Sequence, residues 1–217
     1  MKEDIIEIFR ESGDPSLAIP MSKYMRNLFP FLGIMTKKRV EISKRYFASI
    51  KGEHHFDWDF FNYCFSLPER EFQYLALSYL SRKWRYIKSE DFGKLEIITY
   101  EKPWWDSVDS AITYIGHLVK KYPELINEYI YKWMESDNLW QIRWSILFQL
   151  KFKKDTDLKI LTDAIERNCN TKEFFINKAI GWSLREYAKT DPSWVESYVF
   201  GHELSNLSVR EALKHIK

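Results

Sequence analysis

Apolar residues recur along this chain at three- and four-residue intervals, the period that lays one face of a helix against a core. The run from Trp140 to Phe152 is the plainest case, predicting one packed helix over that span. EFQYLALSYL, beginning at Glu71, and FFINKAIGW, beginning at Phe174, repeat the pattern. No stretch alternates apolar and polar residues as a half-buried strand would, so the fold class is all-α. The punctuation agrees. Asp14-Pro15 and Asp191-Pro192 each set a capping carboxylate before a proline suited to a first helical turn. Ser208 and Glu211 have the spacing of a capping box ahead of the last helix. Pro68, Pro103 and Pro123 fall where periodic segments begin.

A longer period lies over the short one. Four predicted helices open with an aromatic residue: Phe72, Trp105, Trp140 and Phe175. Their separations are 33, 35 and 35 residues, room for a helix pair each time. Seven residues on, the same face carries Tyr79, Ile112, Leu147 and Trp182. A helix pair cannot bury its apolar side alone, so the pattern predicts stacked pairs in a curved solenoid of HEAT-like antiparallel helices. The whole chain, 1–217, reads as a single domain of that kind.

Composition narrows the function classes. The 217 residues are 45% hydrophobic and 29% charged, the balance of an ordinary globular chain. The seven glycines lie far apart, which excludes a Gly-rich phosphate cradle or a dinucleotide fingerprint. No apolar run reaches the roughly 18 residues of a membrane span. The opening MKEDIIEIFRESGD has acids among its apolar residues, unlike a secretory signal. Cys64 and Cys169 are isolated, as expected of a reduced, cytoplasmic protein. A net charge of +2 means that any affinity for nucleic acid must come from local clusters. Two exist: TKKRVEISKRYFASIK from Thr36 to Lys51, with six cations against one Glu, and Arg143 with Lys151, Lys153 and Lys154.

The repeated face departs from core composition at Trp105, Asp109, Arg143, Lys178 and Trp182. Trp105 and Asp109 share a helix face, and Arg143 and Lys178 fall at equivalent places in the next two repeats. A carboxylate between aromatic faces would stabilise a developing positive charge, with the cations gripping an anionic backbone beside it. The residue types leave a second reading open, in which Trp105 and Trp182 are core and Asp109 pairs structurally with Arg143. His54-His55, near Asp57 and Asp59, has no structural-zinc spacing, so no metal site is predicted.

The segments PMSKYMRNLFPFLGI, LPEREFQYLAL, KPWWDSVDS, SDNLWQIRWSILFQLKFK, KEFFINKAIGWSLREYAKT and REALKHIK together closely resemble the AlkD-type DNA alkylation repair family. These are DNA glycosylases built from HEAT-like repeats, and the resemblance runs from Pro15 to Lys217. It implies hydrolysis of the N-glycosidic bond of cationic alkylated purines, notably 3-methyladenine and 7-methylguanine, in double-stranded DNA, by a monomer without a cofactor. The last Asp of WWDSVD is the family's catalytic residue, here Asp109. The second Trp of that motif and the Trp of AIGW flank the lesion, here Trp105 and Trp182. The resemblance further assigns Tyr24, Arg143, Lys151, Arg185 and Lys189 to DNA contact. Relatives often carry Gln after Leu-Gly-Ile, where this chain has Met35 and so loses one polar contact. A non-catalytic HEAT-repeat module that binds DNA or acts as a scaffold is the alternative.

Overall fold

A computed structural model describes residues 2–216; Met1 and Lys217, the ends of the expected domain span, lie outside the described residues. Every regular element among them is helical, as the three- and four-residue periodicity predicts. The helices fall into two compact units, one up to Lys102 and one from Pro103 onward.

The first unit holds α1 (Lys2–Glu11), α2 (Pro15–Tyr24), α3 (Thr36–Ser49), α4 (Trp58–Ser66), α5 (Arg70–Lys83) and the short α6 (Ile97–Tyr100). Asp14 caps α2 by accepting the Ser16 backbone N–H at 2.9 Å, one residue before Pro15 presets the first turn. α5 is central and packs against α3 and α4. Its Phe72 stacks on Phe9 of α1, ring centroids 5.9 Å apart. Tyr79 is buried one face-repeat later, and burial pushes its phenol up to about 12.

A buried carboxylate holds the segment between α2 and α3. Glu71, fully buried on α5, accepts backbone N–H groups from Leu32 (2.9 Å), Gly33 (2.9 Å) and Ile34 (3.0 Å). Three donors on one charged acceptor satisfy backbone that would otherwise be stranded away from water. Gly33 sits at φ +86°, and a Cβ there would lie 1.9 Å from the Asp14 carbonyl oxygen. Both the conformation and the space therefore require glycine.

The second unit comprises α7 (Trp105–Lys121), α8 (Tyr131–Met134), α9 (Leu139–Leu147), α10 (Leu158–Glu166), α11 (Phe174–Tyr187), α12 (Pro192–Gly201) and α13 (Asn206–Ala212), with a π-helical turn over Ile126–Ile130. α9 packs on α7, α11 on α9 and α13 on α11, while α8, α10 and α12 fill in beside them. Trp144 of α9 is fully buried and donates its indole N–H to the Val108 carbonyl of α7 at 3.0 Å. α11 meets α13 so closely that a Cβ on Gly181 would stand 2.5 Å from the Glu211 Cβ and 2.9 Å from the Ser208 carbonyl oxygen.

Two predicted boundaries need correction. The helix expected over Trp140 to Phe152 stops at Leu147. Beyond it the Gln149 side chain exchanges two hydrogen bonds with the Asp157 backbone (2.8 and 3.0 Å), which turns the chain into α10. The capping box expected at Ser208 and Glu211 does not form. Ser205 is the cap, accepting the Ser208 N–H at 3.1 Å, and Glu211 is drawn to cations on α11.

Replacing Glu71 with Ala should cost about 3 kcal/mol or more, because three backbone donors lose a buried charged acceptor. Urea unfolding of Glu71→Ala checks this; a cost under about 1 kcal/mol would mean that the segment finds other acceptors.

Candidate nucleic-acid site

Three helices of the second unit, α7, α9 and α11, build the site. Trp104 is the N-cap residue of α7, Trp105 its first residue, and Asp109 stands one turn further on. Arg143 lies mid-way along α9, and Trp182 lies on α11. Arg143 Nε donates to Asp109 Oδ1 at 2.7 Å and Nη2 donates to Oδ2 at 2.8 Å, a two-pronged pair. Its remaining nitrogen, Nη1, donates to the Phe175 carbonyl at 2.6 Å, so the guanidinium bridges α7, α9 and α11. The Arg143 side chain is 5% exposed and that of Asp109 is 20% exposed, so water or a ligand reaches the carboxylate rather than the cation. Trp182 is half-buried, with its ring centroid 5.8 Å from the guanidinium carbon. Trp105 is also half-buried, so neither Trp is core, while the Asp109–Arg143 pair left open by the residue types does form.

An aromatic wedge closes the neighbouring end. Trp104 meets Phe175 edge-on at 5.2 Å and Trp140 at 5.9 Å, and Trp140 lies 4.9 Å from Phe175. Packing of this kind fixes the start of α7 and hence the direction of Asp109.

Lys178 of the repeated face and the cations expected at DNA beyond Arg143 are held by acids. Lys178 and Arg185 of α11 both reach Glu211 of α13, at 3.0 and 2.5 Å. The Lys178 hydrogen bond first, then that of Arg185, holds the Glu211 carboxyl below its ordinary range. A depressed carboxyl adds stability at neutral pH that is lost as pH falls through its folded-state value. Lys151 and Lys189 share Glu186, at 3.0 and 2.6 Å. Partial burial works against the Glu186 charge, yet the two lysines hold its carboxyl low overall. Tyr24 belongs to the first unit, where it ends α2 and is 72% exposed.

Glu211, Glu186 and the Trp104 wedge are additions that residue-type reasoning missed. Their signal was available in one form only. Asp109 and Arg143 are 34 residues apart, Lys151 and Glu186 are 35 apart, and Lys120 and Asp155 are 35 apart. Each ion pair thus joins neighbouring repeats at the period set by the opening aromatics. Among the described residues no group of three or more His, Cys, Asp or Glu side chains could hold a metal ion. No helix there is long and apolar enough to cross a membrane.

These features define an all-helical repeat protein with a carboxylate–guanidinium pair beside Trp182. Residues 5–216 match the family model for DNA alkylation repair enzymes, and the chain belongs to that family. A solved structure described as a predicted DNA alkylation repair enzyme from Enterococcus faecalis is 32% identical, with a TM-score of 0.87, covering 94% of this chain and 96% of that one. No curated protein matches the chain.

Asp109→Ala should destabilise the fold by about 3 kcal/mol, since it strands a nearly buried guanidinium. Asp109→Asn, which keeps an acceptor for one Arg143 donor, should cost less. Parallel urea titrations would show that order, and equal stability for the alanine variant would sink the structural importance of the pair.

Proposed function

We propose that this chain is a monofunctional DNA glycosylase that hydrolyses the N-glycosidic bond of cationic alkylated purines, 3-methyladenine and 7-methylguanine, in duplex DNA. The observation that carries the reading is the partly open Asp109 carboxylate, on the helix that bears Trp105 and pinned by Arg143, whose guanidinium lies against Trp182. Arg143 takes one lone pair from each carboxylate oxygen, and an ionised carboxylate has about four acceptor sites. The remaining lone pairs are available to a cation and a water molecule.

The chemistry needs no strong acid. A purine alkylated at N3 or N7 already carries positive charge, so the glycosidic electron pair departs with it to give a neutral base. Positive charge then grows on the deoxyribose. The Asp109 carboxylate stabilises that charge and orients water toward the anomeric carbon, and the water proton leaves to the carboxylate or solvent. Because Arg143 fixes the carboxylate beforehand, little reorganisation is left for the reacting step. The faces of Trp105 and Trp182 add cation–π attraction of roughly 0.5–2 kcal/mol each and displace competing water.

Tyr24, Lys151, Arg185 and Lys189 are read as DNA contacts, the last three by exchanging a carboxylate partner for phosphate. Arg143, expected among them from the resemblance, is buried and committed to Asp109 and Phe175, and instead serves by holding the carboxylate. The enzyme acts as a monomer, with residues 1–217 as one functional domain and the cytoplasm as its compartment. No lyase step is expected: Lys178, the lysine of the repeated face, is held by Glu211 at 3.0 Å.

Incubation with methylated duplex should release free 3-methyladenine and 7-methylguanine above the spontaneous rate; no release would favour a non-catalytic DNA-binding or scaffold module. Asp109→Asn should lower excision by about 100-fold or more, as loss of a preorganised electrostatic group does, while duplex affinity stays nearly unchanged. Hypoxanthine, a neutral leaving group, should remain in the DNA; its efficient release would require an acid that this mechanism lacks.

A further inference from the structure

The basic run Thr36 to Lys51 lies outside the catalytic reading. With six cations and one acid it carries more net positive charge than the whole chain's +2, so the remaining residues are net acidic. In the first unit this run forms α3 and one wall of a trough of about 640 Å³, with the end of α5 opposite. Lys37 and Lys44 lie on α3 and Lys51 just beyond it, at seven-residue steps that keep all three on one face. Among the described residues none of these three lysines has a carboxylate partner. That separates them from Lys151, Lys178 and Lys189, each held by a glutamate.

The trough wall is built as well as charged. The Arg82 guanidinium lies 4.0 Å from the Phe47 ring centroid, with Nη1 donating to the Ser78 carbonyl at 2.8 Å. Lys83 is 4% exposed and donates to the Ile50 and Glu53 carbonyls at 2.7 and 2.5 Å, tying the end of α3 to α5. Between the Lys37 and Lys44 rungs lie Val40, 60% exposed, and Glu41, the one acid of the run, which also lines the trough. Two separate, smaller hollows lie toward the start of α3, both lined by Arg39 and Tyr74 and one of them also by Tyr24, the one residue of this unit read as a DNA contact.

We propose that this trough is a phosphate-binding surface for the backbone of duplex DNA, additional to the Asp109 site. The inference rests on the DNA-repair reading of that site. Successive rungs on α3 are about 10 Å apart along the helix axis. The three cations together span about 20 Å, so they face several phosphates of a polyanion rather than a single one. A single strand would need open aromatic faces for its bases. Here Phe47 is covered by Arg82, and Tyr86 is engaged by His54 (3.0 Å) and Lys83.

The test is fluorescence anisotropy with the full chain, on a short unmodified duplex and on one of its strands, across a salt series. The triple variant Lys37→Ala, Lys44→Ala, Lys51→Ala should lower the duplex salt slope by about 2.7 and weaken low-salt binding by about ten-fold or more. Arginine at the same three positions should restore both, and Lys88→Ala, a lysine paired with Glu90, should change neither. An unchanged slope in the triple variant, or a loss confined to the single strand, overturns the proposal. Base release from methylated duplex separates the two readings. If the slope falls while even the unsubstituted chain releases no base, the trough stands and the glycosylase reading fails. If the unsubstituted chain binds no DNA, both fail.

Discussion

A carboxylate that must meet a cation faces a conflict: burial strengthens its field, yet an unpartnered buried charge is costly. Asp109 meets it through Arg143. The two hydrogen bonds at 2.7 and 2.8 Å fix the carboxylate plane, and the third, to the Phe175 carbonyl, fixes the guanidinium itself. Arg143 is thereby a strut between three helices as well as a counter-ion. Much of the second unit follows from it. The Trp104, Trp140 and Phe175 wedge sets where α7 begins, and Trp144, bonded to Val108, sets how far α9 stands from α7. Both are conditions for the guanidinium to reach.

The same economy appears in the first unit with the signs reversed. There a carboxylate is the strut, and its partners are backbone donors rather than a guanidinium. Glu71 stands beside Arg70, itself fully buried, which donates to the Lys102 carbonyl at 2.7 Å and lies over the Phe29 ring at 4.0 Å. Two adjacent charged residues at the start of one helix thus hold two separate loops. Buried charge in this protein fixes irregular backbone, where apolar packing has little to grip.

Much of the fold was legible because helix period, proline placement and aromatic spacing are local properties of the chain. Asp14 and Asp191 cap helices as their prolines imply, and Phe72, Trp105, Trp140 and Phe175 each fall within the first three residues of a helix. The errors share a cause. The Trp140 to Phe152 run kept its apolar rhythm while a side chain–backbone exchange at Gln149 ended the helix, and Glu211 kept capping-box spacing while Lys178 and Arg185 outbid the backbone for it. At the site, residue types picked out Asp109, Arg143 and Trp182, which do come together. They could not show that Lys151, Arg185 and Lys189 already have acidic partners, since which acid answers which cation depends on three-dimensional phase within the repeat.

The absent side chain at Gly181 reaches further than its own helix. Because α13 rests on bare backbone there, the carboxylate of Glu211 is brought within range of two cations that would otherwise face water. One hydrogen atom in place of a methyl thus acts as a shim, and its thickness sets how much positive field the last helix cancels beside Trp182.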